Sequence, residues 1–324
     1  MKTHHPTRRT FLTAAAVLPF LPTIARAADT EPLIIDTHQH MWDLDKFNLP
    51  WLKTAPPIYR QNYRPQEYDD ATKGLNIKSV YMEVDMDPAQ RPAEIKYITA
   101  LCQSKKSATI AAVIGARPDL PDFQTIIKPL SQSKEIKGVR HVLHGDLPSG
   151  SCLKEDFIKG LKFLGTQNLS FDLCMRPKEL ADALKVTEQC PDTNFILDHC
   201  GNGDPKAFMK VLPDKQEPER DANTWKRDIE ALAKRPNLIC KISGVVAKVP
   251  KPWTPEDLAP VVNFCLDTFG PDKVIFGSDW PVCLKSATLQ EWVAALKQIT
   301  STRPKEEQKR LWSQNAIKHY TLNV

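Results

Sequence analysis

The feature that most constrains the fold of this chain is a repeated alternation between short apolar segments and amphipathic helical segments. Eight apolar segments of strand length occur, each followed by a helical pattern, at residues 33–36, 78–85, 109–117, 136–143, 169–176, 194–199, 238–243 and 273–278. Alternating strands and helices form a parallel sheet, and eight such units predict a single-domain (β/α)8 barrel of the TIM type. An open doubly wound sheet is the alternative, but it requires a glycine-rich phosphate-binding turn after its first strand. His38-Gln39-His40 stands there instead, which favours the barrel.

Two of the later helices carry clear start signals. Thr254-Pro255-Glu256-Asp257 combines a capping threonine, a proline at the first helical position and acids in the first turn. Thr288-Leu289-Gln290-Glu291 has the pattern of a capping box. Residues 41–65, in contrast, are rich in proline and aromatic residues and show no regular pattern. A loop of that length is usually a lid or a binding loop.

The first 27 residues have the pattern of an export signal. Thr7-Arg8-Arg9-Thr10-Phe11-Leu12 is typical of a twin-arginine signal, and an apolar run over residues 14–24 precedes the small-residue site Ala25-Arg26-Ala27. The run is too short and too rich in proline to serve as a stable membrane anchor. We therefore expect the twin-arginine export machinery to deliver a periplasmic protein. Cleavage near Ala27 would leave residues 28–324 as the barrel domain.

The charge balance argues against a nucleic-acid partner. Four of the 44 lysine and arginine residues and none of the 39 acidic residues lie in the first 27 positions, so the rest of the chain has a net charge of +1. A nearly neutral chain without a basic block offers little electrostatic attraction to nucleic acid. We expect a small-molecule substrate instead.

The cysteines predict neither a zinc ribbon nor a disulfide-dependent fold. The chain has eight cysteines but no Cys-x-x-Cys pair, which disfavours zinc-ribbon and thioredoxin-like sites. Several lie inside apolar segments, where cysteine usually behaves as a small buried hydrophobe. A domain of this size can bury enough apolar surface to be stable without cross-links, so we expect no essential disulfide.

The first strand ends in a His-x-His pair that could converge on one small centre. Successive side chains of a strand point to opposite faces, so the pattern places Asp36, His38 and His40 on one side. Two imidazoles so placed can bind a metal ion or an oxyanion. A His-x-His motif by itself is weak, because two hydrogen-bonded polar residues at a strand end would look the same.

Two later strands end in matching residues. The sixth strand ends at His199, which the two-residue alternation places in phase with Leu197. The eighth strand leads to Asp279, in phase with Gly277. In a (β/α)8 barrel the carboxyl ends of the strands meet at one mouth, where active sites are built. We therefore predict a catalytic site made of His38, His40, His199 and Asp279.

Other residues at the strand ends predict how the site binds its substrate. Arg140, Arg176 and Lys241 lie in apolar strand contexts, and inward-pointing cations would favour anionic or polyhydroxylated substrates. Trp42 and Trp280 closely follow site residues and could form apolar walls. Solvated charges and ordinary loop packing are the simpler interpretations of these five residues.

A set of motifs resembles one family along the whole of residues 28–324. The motifs are Asp-Thr-His-Gln-His-Met-Trp, Gly-Val-Arg-His, Phe-Asp-Leu-Cys-Met-Arg-Pro, Leu-Asp-His-Cys-Gly, Cys-Lys-Ile-Ser-Gly and Phe-Gly-Ser-Asp-Trp-Pro-Val-Cys. In this order they resemble the amidohydrolase-related family. Within it, they are most similar to the branch of sugar lactonases, of the L-fuconolactonase and L-rhamnonolactonase types, and of 2-pyrone-4,6-dicarboxylate lactonase. The resemblance implies a distorted barrel whose hydrolytic site is His38, His40, His199 and Asp279.

The sequence departs from the metal-dependent members of that family at two strand ends. Where many relatives have a further histidine after strand five, this chain has Arg176. Where they have a carboxylate or carboxylated lysine after strand four, it has Arg140 and His141. We therefore do not expect a bridged two-metal centre. The resemblance leaves two possibilities open: one divalent ion, Zn²⁺ or Mn²⁺, bound by His38, His40, His199 and Asp279, or catalysis without a metal.

The function implied is hydrolysis of a sugar lactone or a dicarboxylate lactone. Asp279 would act as general base, and the three histidines would stabilise the oxyanion or hold one metal ion. One alternative is a metal-dependent decarboxylase of an aromatic or dienoic acid, a reaction of a sister branch of the superfamily. Another is a non-catalytic periplasmic ligand-binding protein, which would have no need of a base.

Overall fold

The computed structural model describes residues 1–3, 31–145, 147–210, 212 and 217–324. The predicted export signal lies outside the described residues, apart from its first three. Pro32–Val324 contains the barrel. No helix among the described residues is long and apolar enough to cross a bilayer.

Eight parallel strands follow one another around the sheet in the order of the sequence. They are β1 Ile34–Gln39, β2 Ile77–Met82, β3 Thr109–Gly115, β4 Ile136–Arg140, β5 Ser170–Leu173, β6 Phe195–Leu197, β7 Leu238–Ile242 and β8 Val274–Phe276. The helices around them are α1 Pro65–Ala71, α2 Arg91–Ser104, α3 Phe123–Leu130, α4 Glu155–Thr166, α5 Leu180–Gln189, α6 Ala222–Ala233, α7 Pro255–Phe269, α8 Leu289–Ile299, and α9, which runs through Lys305–Lys309, Arg310–Gln314 and Asn315–Tyr320. The predicted (β/α)8 barrel is confirmed.

Backbone hydrogen bonds between the ends of β1 and β8 close the barrel. The Asp279 N–H donates to the His38 carbonyl at 2.8 Å, and the His40 N–H donates to the Trp280 carbonyl at 2.7 Å. Gln39 and Trp280 form an isolated parallel bridge at the same place. Three of the four predicted catalytic residues therefore lie on the seam of the barrel, and closure fixes their backbones relative to one another.

Two separate apolar cores pack on the two faces of the sheet. The smaller core fills the barrel and is closed by Tyr320 and Leu322 at the end of the chain. Its strand residues come from six of the eight strands: Ile35, Val80, Met82, Ala111, Val113, Ile196, Ile239 and Ile275. The larger core lies between the strands and the helices. The eight cysteines are all free and buried.

The predicted helix starts are confirmed, and the long loop is well packed. Capping boxes join Thr254 to Asp257 and Thr288 to Glu291. Residues 41–65 contain two short 3₁₀ turns, Pro50–Lys53 and Pro57–Tyr59. Several aromatic side chains of this loop are buried in the larger core, so the loop packs onto the barrel.

The predicted face of Asp36 is wrong because β1 contains a bulge. Asp36 pairs with Ser79 and Gln39 pairs with Tyr81, so three steps along β1 match two steps along β2. The extra residue changes the alternation. The Asp36 carboxylate accepts hydrogen bonds from Tyr68 of α1 at 2.9 Å, from the Ser278 N–H at 2.7 Å and from the backbone N–H of His38 at 3.1 Å, on the side of the strand away from the histidine rings.

The predicted phase of β6 is also wrong. Ile196 belongs to the core inside the barrel, whereas Phe195 and Leu197 belong to the larger outer core. Asp198, not His199, therefore continues the inward face of β6. His199 still reaches the mouth because its backbone turns into the left-handed region, with a φ of 55°.

Candidate active site

The structure brings the four predicted catalytic residues together at the carboxyl ends of the strands. Asp279 Oδ1 lies 3.5 Å from His40 Nε2 and 3.7 Å from His38 Nε2. The ring centroids of His38 and His40 are 4.8 Å apart, and those of His38 and His199 are 4.5 Å apart. His38 is fully buried, while His199 is the most exposed of the three rings.

Backbone strain is concentrated at this end of the barrel. His199 and Asp279 both have positive φ, at 55° and 57°, and Asp85 after β2 has a φ of 47°. Residues other than glycine rarely adopt this conformation, and such strain is typical of functional sites. The left-handed turn after β8 places the Asp279 carboxylate beside His40.

Two glycines make room for the histidine rings. A Cβ on Gly244, whose φ is +69°, would lie 2.5 Å from His199 Nδ1. A Cβ on Gly277 would lie 2.8 Å from the His38 Cβ. Both distances are shorter than any ordinary contact, so side chains at these positions would displace the rings.

Hydrogen bonds orient the more exposed histidines. His40 Nδ1 lies 3.0 Å from the Met82 carbonyl, which can only accept. His40 therefore carries a proton on Nδ1, and Nε2 is the ring nitrogen that faces Asp279. His199 Nδ1 lies 2.9 Å from Ser243 Oγ, which leaves Nε2 as the ring nitrogen available to a substrate.

Burial sets the protonation of the remaining groups. Burial lowers the pKa of His38 well below its usual value, although Asp198 opposes this effect. Burial also lowers the pKa of His199. Both rings are therefore neutral at neutral pH.

The predicted substrate-binding cations lie at different depths. Arg140 is 5% exposed, and its Nε and Nη2 donate at 2.6 Å to the Glu83 carboxylate and carbonyl, while Nη1 lies 3.3 Å from His38 Nε2. Arg176 lies at the rim and bonds Glu179 at 3.0 Å and the carbonyls of the loop after β4. Lys241 is fully buried beneath the histidines.

The two predicted tryptophan walls are buried. Trp42 is 3% exposed and donates to the Gln61 carbonyl at 2.7 Å. Trp280 is 2% exposed and packs edge-on against Tyr63 and Tyr68. Both indoles support the loops behind the site.

Four acidic residues at this end of the barrel were missed in the sequence. Glu83, Asp172 and Asp198 are buried among the cations and histidines, and Asp85 has a side chain that is 45% exposed. The available signal was an acid within an apolar strand, as in Phe171-Asp172-Leu173. A buried acid requires a buried partner.

The donor atoms at the mouth fit one divalent cation. Ligand atoms of His38, His40 and Asp279 lie within 4.8 Å of one another. The hydrogen bond from His40 Nδ1 to a carbonyl is the usual support of an imidazole that binds a metal through Nε2. Among the described residues, His199 groups instead with His38 and Asp198. His38 belongs to both groups.

The fold and site define a (β/α)8 hydrolase, and comparison with known families agrees. The Amidohydro_2 family, described as amidohydrolase, matches residues 35–322. The chain therefore belongs to this family, which confirms the family expected from the motifs.

One curated protein and two solved structures show which members of the family the chain is similar to. The L-fucono-1,5-lactonase of Burkholderia multivorans is 25% identical over 301 residues, which cover 90% of this chain and 96% of that protein. A crystal structure of an amidohydrolase from Burkholderia multivorans with bound Hepes has a TM-score of 0.77 at 23% identity, covering 90% of this chain and 100% of that one. A probable 2-pyrone-4,6-dicarboxylic acid hydrolase from Acinetobacter baumannii has a TM-score of 0.69 at 21% identity, covering 89% and 99%. The two structural likenesses show the fold.

Proposed function

We propose that this protein hydrolyses an uncharged sugar lactone, with Asp279 as general base. The observation that carries the proposal is the convergence of the Asp279 carboxylate with Nε2 of His38 and of His40, within 3.7 Å, at the open end of the barrel. A carboxylate placed at the open end of the barrel can take a proton from water. The similarity to an L-fucono-1,5-lactonase over nearly the whole chain supports a lactone as substrate.

Each site residue has a role in the proposed reaction. The Asp279 carboxylate takes a proton from the water that attacks the lactone carbonyl, while Nε2 of His40 accepts the other hydrogen of that water. His199 donates from Nε2 to the oxyanion of the tetrahedral intermediate. Asp279 then returns its proton to the ring oxygen as the carbon–oxygen bond breaks, giving an open-chain hydroxy acid.

A bound metal would add to this chemistry. One divalent ion held by His38, His40 and Asp279 would act as a Lewis acid at the mouth.

Charge pairing at the mouth favours an uncharged substrate. Arg140 pairs with Glu83 at 2.6 Å and Arg176 with Glu179 at 3.0 Å. Lys248 after β7 pairs with Glu219 at 2.9 Å. These cations already have carboxylate partners, so a carboxylate on the substrate would have to displace one of them. The Asp85 carboxylate, 3.8 Å from Arg91, can instead accept a hydrogen bond from a sugar hydroxyl.

A pH-indicator assay tests the substrate class. Lactone hydrolysis releases one proton at neutral pH, because the product is a carboxylic acid. We expect kcat/KM for L-fucono-1,5-lactone or a related sugar lactone to exceed that for 2-pyrone-4,6-dicarboxylate by more than about 100-fold, since an unpaired carboxylate in a desolvated site costs several kcal/mol. Turnover of the dicarboxylate alone would refute the substrate assignment. Spontaneous hydrolysis is subtracted with an enzyme-free blank.

We also propose that the protein acts in the periplasm after twin-arginine export. The signal pattern at residues 7–27 supports this, as do the eight buried free cysteines, because the twin-arginine route exports folded protein. Replacing Arg8 and Arg9 with lysine should leave folded precursor in the cytoplasm. Unchanged export of that variant would contradict the proposal.

A further inference from the structure

The segment that carries His199 has a rare backbone conformation. The four consecutive residues His199, Cys200, Gly201 and Asn202 have positive φ, between 54° and 61°. Elsewhere in the described part of the chain, residues with positive φ occur singly. The left-handed region disfavours residues with a side chain, which normally adopt it one at a time. A run of this kind persists only where its surroundings support it.

This left-handed turn, residues 199–202, brings His199 to the mouth. Asp198 continues the inward face of β6, so a regular extended residue at position 199 would point outward, toward the helices. The turn instead directs the imidazole to Ser243, whose Oγ lies 2.9 Å from Nδ1. The next side chain, Cys200, is fully buried in the larger core. The position of the ring therefore depends on the conformation of the turn.

Two side chains tie the left-handed turn to different parts of the barrel. Trp225 of α6 is 2% exposed and donates from Nε1 to the Cys200 carbonyl at 3.0 Å. Asn202 donates from Nδ2 to the carbonyl of Met175, in the loop after β5, at 2.6 Å. The turn is thus joined to the helix outside the sheet and to the end of the neighbouring strand. These bonds offset part of the cost of the left-handed backbone.

Resting on the function proposed above, we propose that Asn202 and Trp225 are positioning residues for His199. Their hydrogen bonds hold the left-handed turn, and the turn holds the ring where Nε2 meets the oxyanion. Without either bond the turn can relax toward an ordinary backbone conformation, which moves His199 away from Ser243. Neither side chain has a role in the reaction given above.

Two conservative variants each remove one of these bonds. Asn202→Gly deletes the amide but leaves a residue that adopts the left-handed conformation readily. Trp225→Phe keeps an aromatic ring but removes the N–H donor. We expect each variant to lower kcat on the best sugar lactone by about 10- to 100-fold, with KM changed less than about threefold, because a catalytic group is misplaced while the rest of the site is kept.

A double-mutant cycle distinguishes positioning from a general structural role. If Asn202 acts through His199, Asn202→Gly should lower kcat of a His199→Ala enzyme by less than about threefold, measured above an enzyme-free blank. A general structural role would lower kcat by the same factor in both backgrounds, and that result would overturn the inference.

A second left-handed asparagine provides the matched control. Asn168, before β5 at the opposite end of the barrel, is exposed and has the same φ of 55° as Asn202. Asn168→Gly therefore makes the same chemical change in the same backbone conformation, and it should leave kcat unchanged.

Crystal structures of the wild type and of Asn202→Gly test the turn without a substrate. We expect the His199 ring to move by about 1 Å and to lose its contact with Ser243, since a displacement of that size accounts for the predicted loss of rate. A variant with wild-type kcat, or one that keeps the left-handed turn and the contact with Ser243, would overturn the inference. If Trp225→Phe does not fold, Asn202→Gly decides. If no lactone is hydrolysed, the proposed function fails, while the crystal structures still decide whether Asn202 holds the turn.

Discussion

Substituting Gly244 with alanine should inactivate the enzyme through the position of one ring. A Cβ at this position would lie 2.5 Å from His199 Nδ1, whereas ordinary contacts begin near 3.4 Å, so the ring must move by about 0.9 Å. That movement would break the 2.9 Å contact with Ser243 Oγ. A misplacement of this size in a catalytic group costs about 10²-fold in rate.

The same substitution also has a backbone cost, which a matched variant can isolate. Alanine in the left-handed region costs about 1–2 kcal/mol relative to glycine, which lowers Tm by a few degrees. Gly150 has a similar left-handed backbone, with φ 74° and ψ 5° against φ 69° and ψ −20° for Gly244, but a Cβ added there would meet nothing within 4 Å. Gly150→Ala should therefore lose stability but keep its activity.

The assay measures kcat of the two variants on the best lactone at 25 °C, well below the melting temperature of either variant. We expect Gly244→Ala to be about 100-fold slower than Gly150→Ala. If the two variants differ by less than about threefold, the position of His199 does not control the rate, and our assignment of its role is wrong.

Three further predictions concern other buried or strained groups. Burial raises the pKa of Glu94 to about 7, and its Oε2 has no hydrogen-bond partner. Because the folded pKa exceeds the unfolded value of 4.5, Glu94 makes the protein less stable as the pH rises from about 4.5 to 7. The loss of stability is at most about 3 kcal/mol. The Glu94→Gln variant should lack this dependence of stability on pH, so the difference between its Tm and the wild-type Tm should increase from pH 5 to pH 8. A constant Tm difference would contradict the raised pKa of Glu94. Thiol titration should find eight free thiols in denaturant and almost none in the native protein, since all eight are buried; mostly bridged cysteines would show this to be wrong. Asp85→Asn should raise KM for a sugar lactone several-fold with little change in kcat, whereas a fall in kcat alone would argue against hydroxyl binding.

The sequence predicted the barrel because its eight strands are short, apolar and regularly spaced. It also predicted His38, His40 and Asp279, since these residues lie at the carboxyl ends of strands, which share one mouth in a barrel. Such inferences need only local pattern and a rule about topology.

Side-chain direction at the strand ends was less predictable. Alternation holds only where the strand is regular, and the bulge in β1 moved Asp36 away from the histidines. At the end of β6 the left-handed backbone of His199 brought it to the mouth, although Asp198 occupied the inward position. Neither irregularity has a marker in the local sequence.

The buried charges depended on partners distant in the sequence. Lys241 and Asp172 are 69 positions apart, and Arg140 and Glu83 are 57 apart. A cation at a strand end looks the same whether it meets substrate, solvent or a buried acid. Only the packed barrel shows that Lys241 lies below the site and Arg140 beside His38.

The most direct test of the proposed function is the turnover of Asp279→Asn, compared with Asp272→Asn. The two residues flank β8 at opposite ends, and Asp272 is exposed and pairs only with Arg310 among the salt bridges of the described residues. Loss of general-base catalysis costs about 10²–10⁴-fold, so we expect Asp279→Asn to lose at least 100-fold in kcat on the best sugar lactone while remaining folded. Asp272→Asn should match wild type. An Asp279→Asn enzyme with near-normal kcat would contradict the mechanism.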